Sequence, residues 1–314
     1  MKRFKNILLF AGSEGWKDAA LEQALTLVKR NKAKLKIVDV VEDLPREIRV
    51  RITVKSALET QELVINKRKN KLEQLIKPMR KDGVYVRAKV LIGTPFLEII
   101  REVLRDKHDL VIKTARGKGG LKEILFGSTA MHLMRKCPCP VWVIKPTHHK
   151  KYARIMAAVD PDPSDEAKNA LNTKIMELAT SMASLEGSEF HVVHAWTLYT
   201  EKKLASWRGD LSKSEVDSWA RETRKLHKSQ LAKLVEKHAP GNPNDRIHLL
   251  NGDAGILIPA LARRKRIELI VMGTVCRTGI EGLFIGNTAE KVLQRVDCSV
   301  LTVKPDGFVT PVGL

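Results

Sequence analysis

The chain contains no run of eighteen apolar residues, and it does not open on a basic stretch followed by an apolar core and a small-residue cleavage site. Nothing argues for a membrane span or for secretion, and a cytoplasmic location is expected. Only four cysteines are present, Cys137, Cys139, Cys276 and Cys298, too few and too scattered for a disulfide framework. Cys137-Pro138-Cys139 lacks the second Cys/His pair that a soft-metal site needs, so no metal is expected. Aromatic residues make up 5% of the chain. They do not alternate with basic residues in the manner that stacks RNA bases, which disfavours a dedicated nucleic-acid role. The pattern GxxxxGK[ST] is absent too, which excludes a P-loop but not other phosphate cradles.

Positive charge is abundant. The net charge is +20, and residues 1–150 carry 33 Lys+Arg against 16 Asp+Glu (+17), whereas residues 151–314 carry 23 against 20 (+3). An excess of that size attracts anionic partners to the first half without specifying which. The basic residues fall along helix-like patterns such as 66–81, NKRKNKLEQLIKPMRK, where a solvated helix face accounts for them.

The strongest signal is a repeat. Asp109–Pro146 aligns without a gap to Glu268–Pro305, 159 residues later, and the same offset carries Gly93 onto Gly252 and Arg87 onto Arg246. The strand ending at Gly12 reaches the one ending at Asp160 with an offset of 148, so the second copy holds eleven extra residues between about Trp196 and Ile247. Two domains follow, 1–148 and 151–306, with residues 307–314 as a C-terminal tail. Two similar units in one chain suggest an intramolecular pseudo-dimer, with a homodimer of the whole chain left open.

Each copy reads as short apolar strands alternating with helices. In the first the strands are Asn6–Ala11, Lys34–Val41, Val84–Leu91, Leu110–Lys113 and Val141–Ile144, and the longest helices of the two copies span about 50–81 and 213–238. Thr94 is expected to cap a helix that starts at Pro95, and Pro259 is expected within the first turn of the matching helix, where its missing N–H removes no bond. Strand–helix alternation with short connections gives an α/β fold in which each domain is a five-stranded parallel sheet flanked by helices.

In such a sheet ligands bind beyond the carboxyl ends of the strands. In copy two, Asp160 ends the first strand. Gly273, Thr274, Cys276 and Arg277 follow the fourth, and Gly286, Asn287 and Thr288 open the last helix, whose backbone amides suit an anion. The equivalent residues of copy one are Thr114, Gly117, Gly127, Ser128 and Thr129. His191 and His194 lie an odd number of residues apart on a strand, so they face opposite ways. His132 on the last helix of copy one reads as structural. No nucleophile with an adjacent base is evident, so no catalytic residue is assigned.

These motifs resemble the universal stress protein family, in its tandem-domain form, over essentially the whole chain. The family's ATP-binding pattern is Gly-x2-Gly-x9-Gly-Ser/Thr. Copy one has Thr114-x2-Gly117-x9-Gly127-Ser128, and copy two has Gly273-x2-Cys276-x9-Gly286-Asn287. Cys276 replaces a glycine next to the phosphates. Gly12 stands where the family places its adenine-side Asp, which Asp160 preserves in copy two. Arg116 and Lys118 stand where a His-x-His is expected, so no metal site is carried over. The resemblance implies two tandem Rossmann-like domains of the adenine nucleotide alpha hydrolase type, with ATP or another nucleotide-like, phosphate-bearing molecule as ligand. It also implies a non-catalytic stress-response protein protecting against environmental stress, including DNA damage. A weak ATPase or autophosphorylating protein using Ser128 or Thr129, and a basic domain 1 that binds nucleic acid or acidic surfaces, are the alternatives.

Overall fold

In the computed structural model, residues 4–12, 19–42, 54–115, 126–145, 151–198, 213–274 and 286–314 are described, without the side chains of residues 54–58 and 213. The chain divides into two compact units, Met1–Lys150 together with Val309–Leu314, and Lys151–Phe308. Inside the first unit Arg101 Nε donates to the carbonyl of Gly313 at 3.2 Å, so the last residues are held there.

The first unit runs β1 (Asn6–Phe10), α1 (Ala19–Asn31), β2 (Lys34–Val41), α2 (Val54–Lys81), β3 (Val86–Ile92), α3 (Pro95–Asp106), β4 (Leu110–Thr114), α4 (Ser128–Lys136) and β5 (Val141–Ile144). Its strands pair in parallel in the order β3-β2-β1-β4-β5. The second unit repeats the plan as β6 (Arg154–Ala158), α5 (Glu166–Glu186), β7 (Glu189–Trp196), α6 (Lys213–His238), β8 (Ile247–Asn251), α7 (Ala254–Arg264), β9 (Leu269–Gly273), α8 (Asn287–Arg295) and β10 (Ser299–Val303). Its order is β8-β7-β6-β9-β10, again all parallel. The central strands β1, β4, β6 and β9 are near-continuous apolar runs because helices cover both faces. Edge strand β3 alternates instead and carries the charged residues Arg87 and Lys89, which protects the edge from pairing with another chain.

Strand limits differ slightly from the sequence reading: β1 stops at Phe10, and β3 begins at Val86 and reaches Ile92. The repeat survives in fine backbone detail. Gly93 and Gly252 have φ of +128° and +136°, a conformation open essentially to glycine alone, and a Cβ on Gly252 would sit 3.0 Å from Leu257 Cδ1.

Two helix expectations are corrected. Thr94 occupies the cap position of α3 but its side chain makes no capping bond; Pro95 at the first helical position already removes one orphan donor. Pro259 lies sixth in α7, which is capped by Asp253 through the amide of Gly255, so it falls beyond the first turn. Its missing N–H leaves the Gly255 carbonyl without its helical donor. Arg295 on α8 supplies a replacement, with Nη1 3.1 Å from that carbonyl.

The first unit also buries a charge. Glu102 on α3 is fully buried and receives Lys36 at 2.8 Å, Lys89 at 2.8 Å and Arg105 at 3.3 Å. Although burial alone would push its carboxyl upward, these partners hold it below the usual carboxylate range.

Candidate ligand site at the carboxyl edge of the second unit

Chain direction across the sheet reverses between β6 and β9, which pair side by side with Ala158 opposite Met272. From β6 the chain steps outward to β7 and β8, and then returns to β9 on the other side. Such a switch point opens a crevice beyond the carboxyl ends of the two strands. Asp160 leaves one of those ends, and Gly273 and Thr274 leave the other.

Asp160 is fixed by its main chain and half exposed at its side chain. The Asp160 amide donates to Asn172 Oδ1 at 2.9 Å, and Asn172 Nδ2 donates to the Asp160 carbonyl at 2.9 Å, so α5 clamps the strand end. Its carboxylate is 53% exposed and meets Lys168 Nζ at 3.0 Å. A neighbouring carboxylate, not Asp160, caps the next helix. Asp165 does so, accepting from the Lys168 amide at 2.9 Å. Asp162 turns back onto Ser164, whose hydroxyl and amide hold its carboxyl below the ordinary value.

Across the crevice the amide of Gly286 donates to the Thr274 carbonyl at 2.9 Å, which sets the start of α8 against the end of β9. Gly286 occupies the cap position and no side-chain oxygen caps the helix, in contrast to α5 and α7. Asn287 and Thr288 are exposed in the first turn. Uncapped amides and the positive end of the helix dipole suit an anion. A Cβ on Gly286 would meet nothing nearer than 4.0 Å, whereas one on Gly273 would lie 2.8 Å from Leu171 Cδ2. A Cβ on Gly273 would thus crowd the tip of Leu171 on α5, whereas Gly286 leaves open room. Cys276 and Arg277 lie outside the described residues.

The Lys-Pro at the end of each copy supplies residues that the sequence reading did not assign to the site. Lys304 is buried, donates to Thr274 Oγ1 at 2.5 Å, and lies 4.8 Å from the Phe308 ring centroid. It places a positive charge directly beneath the turn that leaves β9. The repeat itself was the signal, because Lys145 holds the equivalent position, also buried, 4.9 Å from the Phe126 ring centroid.

In the first unit the same edge is formed by Thr114, Gly127, Ser128 and Thr129. Gly127 caps α4 without a side-chain bond, and Ser128 is exposed in the first turn. Gly12, with φ +64°, stands at the end of β1 in place of a carboxylate. Ala115 replaces Thr274, so Lys145 has no matching hydroxyl there. Gly117 lies outside the described residues. His132 stacks on Phe96 with ring centroids 4.2 Å apart, and burial lowers its pKa.

Two histidine pairs in the second unit escaped the sequence because their partners lie 57 and 33 residues away. His191 Nδ1 meets His248 Nε2 at 3.1 Å, and His194 Nε2 meets His227 Nδ1 at 2.9 Å. Facing opposite ways, His191 and His194 thus find different partners. Burial lowers the pKa of all four, most for His248, which falls to about 4. Among the described residues no three His, Cys, Asp or Glu side chains converge as a metal set. Cys137 and Cys139 are free thiols with their sulfurs 3.5 Å apart, and contact with Cys137 together with burial holds the Cys139 thiol well above its ordinary pKa. No described helix is long and apolar enough to cross a membrane.

Comparison with known proteins agrees with this double architecture. The model of the Universal stress protein family matches residues 3–145 and again 151–304. Universal stress protein E of Escherichia coli strain K12 is 30% identical over 316 residues, covering 100% of this chain and 98% of its own length. The Universal stress protein E homolog of Haemophilus influenzae is 27% identical and covers 96% of this chain and 98% of its own. Among solved structures, a putative universal stress protein from Pseudomonas aeruginosa UCBPP-PA14 superposes with a TM-score of 0.73 at 23% identity, covering 97% of this chain and 95% of that one. With its two halves each matching one family and a relative aligned from end to end, the chain belongs to the universal stress protein family.

Proposed function

We propose that this protein is a non-catalytic, cytoplasmic binder of a nucleotide-like, phosphate-bearing small molecule, held in the second unit, and that occupancy of that site serves a protective stress response that extends to DNA damage. The observation that carries the reading is the meeting, at one switch point, of an exposed carboxylate on Asp160 with the uncapped start of α8. Lys304 reinforces that start from below through Thr274. A carboxylate accepts hydrogen bonds from a base or sugar, while amides and a buried cation favour phosphate. The first unit repeats the uncapped turn but has Gly12 in place of the carboxylate, so the second unit is the primary site.

Native mass spectrometry of the freshly purified chain tests the reading. A co-purifying phosphate-containing mass, or a saturable adduct with added ATP, is expected, and Asp160→Ala or Gly286→Trp should weaken it. An adduct indifferent to both changes would place the ligand elsewhere. Incubation with ATP labelled on the γ-phosphate separates binding from chemistry: label released as phosphate or fixed on Ser128 or Thr129 would make the protein an ATPase or autokinase.

A further inference from the structure

We infer that His227, linked through the His194 ring to the Asp160 strand end, is a specificity-determining residue of the second-unit site, and that its Nε2 lone pair requires the ligand to offer a hydrogen-bond donor at its non-phosphate end. The inference rests on the binding reading above and names what that end of the ligand must carry.

The geometry fixes the proton positions in sequence. His194 Nδ1 lies 3.1 Å from the Val159 carbonyl and 3.8 Å from Asp160 Oδ1. Both are acceptors only, so Nδ1 carries the hydrogen. In the neutral ring Nε2 is then an acceptor, and it faces His227 Nδ1 at 2.9 Å, which must therefore be the donor. His227 Nε2 is left as an acceptor. Burial disfavours the charged form of both rings, which keeps this chain of neutral rings the prevailing state at neutral pH. Trp196, buried at the carboxyl end of β7, stacks on His227 with centroids 5.2 Å apart and planes 22° from parallel, fixing the ring's direction. His194 is wholly buried while His227 is only partly so, and the accessible edge of the pair belongs to His227.

Two acceptors on one wall select a complementary partner. An exocyclic amino group on a base and the hydroxyls of a sugar share that chemistry. A phosphate does not, because it is acceptor-rich and brings no hydrogen to the His227 lone pair, while Lys168 Nζ at 3.0 Å already pairs with the Asp160 carboxylate. The ligand is thus oriented with its donor-bearing end at β6, β7 and α6 and its phosphates at the start of α8.

The test has two arms, both on the full-length chain. Long-range ¹H–¹⁵N correlation spectra of histidine-labelled protein should show His194 and His227 protonated at Nδ1, the minority tautomer of free imidazole. A His227 ring protonated at Nε2 at neutral pH would overturn the inference whatever the ligand. Isothermal titration with ATP, with the purine riboside triphosphate that lacks the amino group, and with 2′,3′-dideoxy-ATP reads recognition directly. One of the two analogues should bind about tenfold more weakly or worse, the cost of leaving an acceptor unmet, and the loss should shrink in His227→Phe. Loss with the first assigns the contact to the base, and loss with the second assigns it to the sugar. Equal affinity for all three overturns the donor requirement while leaving nucleotide binding intact. No binding of any of them, with the tautomers as assigned, defeats the nucleotide reading and this inference with it.

Discussion

Replacing Gly255 by alanine should weaken the second unit from a position that touches no ligand. Gly255 is in the first turn of α7, and a Cβ placed there would lie 2.6 Å from Lys291 Cβ and 2.9 Å from Lys291 Cδ on α8. Carbon atoms settle at about 3.5–4.0 Å, so the helices must part by roughly 1 Å. Lys291 Cβ belongs to the helix stem and cannot swing aside as a side-chain tip would. Overpacking of this kind costs about 1–3 kcal/mol, and we take ~2 kcal/mol here. For a unit spanning Lys151–Phe308 that lowers Tm by about 4–8 °C. Because α8 opens with Asn287 and Thr288, the same shift moves the turn proposed to hold phosphate, so ATP affinity should fall in parallel. Thermal unfolding followed by circular dichroism, with nucleotide titration of the same samples, checks both effects. A Tm within about 1 °C of the parent chain together with unchanged affinity would refute the helix contact and its link to the site.

Other expectations follow from particular contacts. Arg295→Ala exposes the carbonyl that Pro259 leaves without its helical donor, and a loss of about 1 kcal/mol in urea unfolding is expected. Since the guanidinium is engaged by the Gly255 carbonyl and has no part in the proposed site, binding should change less than stability. Glu102→Ala removes the buried carboxylate shared by Lys36, Lys89 and Arg105 and leaves Lys36 with Asp106 as its partner, and about 1.5 kcal/mol should be lost from the first unit; an unaltered urea midpoint would show that the network contributes little. Acidification between pH 6.5 and 5 should destabilise the second unit before its carboxylates titrate. The four paired histidines there, buried or partly buried, have folded pKa values below 6.5, so the unfolded chain binds more protons, and stability present above pH 6.5 is lost as pH falls. For His248, falling from 6.5 to about 4, the full difference is ~3 kcal/mol, reduced to about 2 because solvent screens the partly exposed ring. His248→Gln should flatten the profile, and a profile unchanged by it would assign the effect elsewhere.

The fold was legible because the chain contains it twice. An ungapped repeat, apolar strands without alternation and helix-spaced charges together specify doubly wound parallel units. Helix Lys213–His238 emerges with the limits read from its pattern. Strand ends shifted by one or two residues because pairing with a neighbour, rather than propensity, decides where a ladder stops. Pro259 misled because the compensation for a mid-helix proline comes from Arg295 on another helix, which no local pattern reveals. At the site, Asp160 and the Gly286 turn were readable from their places at strand and helix ends. The histidine pairs were not, since His194 and His227 meet only when α6 folds across β7. Gly273 was readable as a glycine at a strand end, but the crowding of a Cβ there by Leu171 appears only in the packed unit. Lys304 was visible as a repeated Lys-Pro whose meaning required the burial that only the packed unit supplies.

Difference electron density from crystals of the full-length chain soaked with ATP addresses the central claim most directly. The account predicts density in the second unit, with the base or sugar against Asp160 and His227 and phosphate oxygens within hydrogen-bond reach of the Asn287 and Thr288 amides. Density confined to another surface, or a second-unit crevice left unchanged at saturating nucleotide, would contradict it.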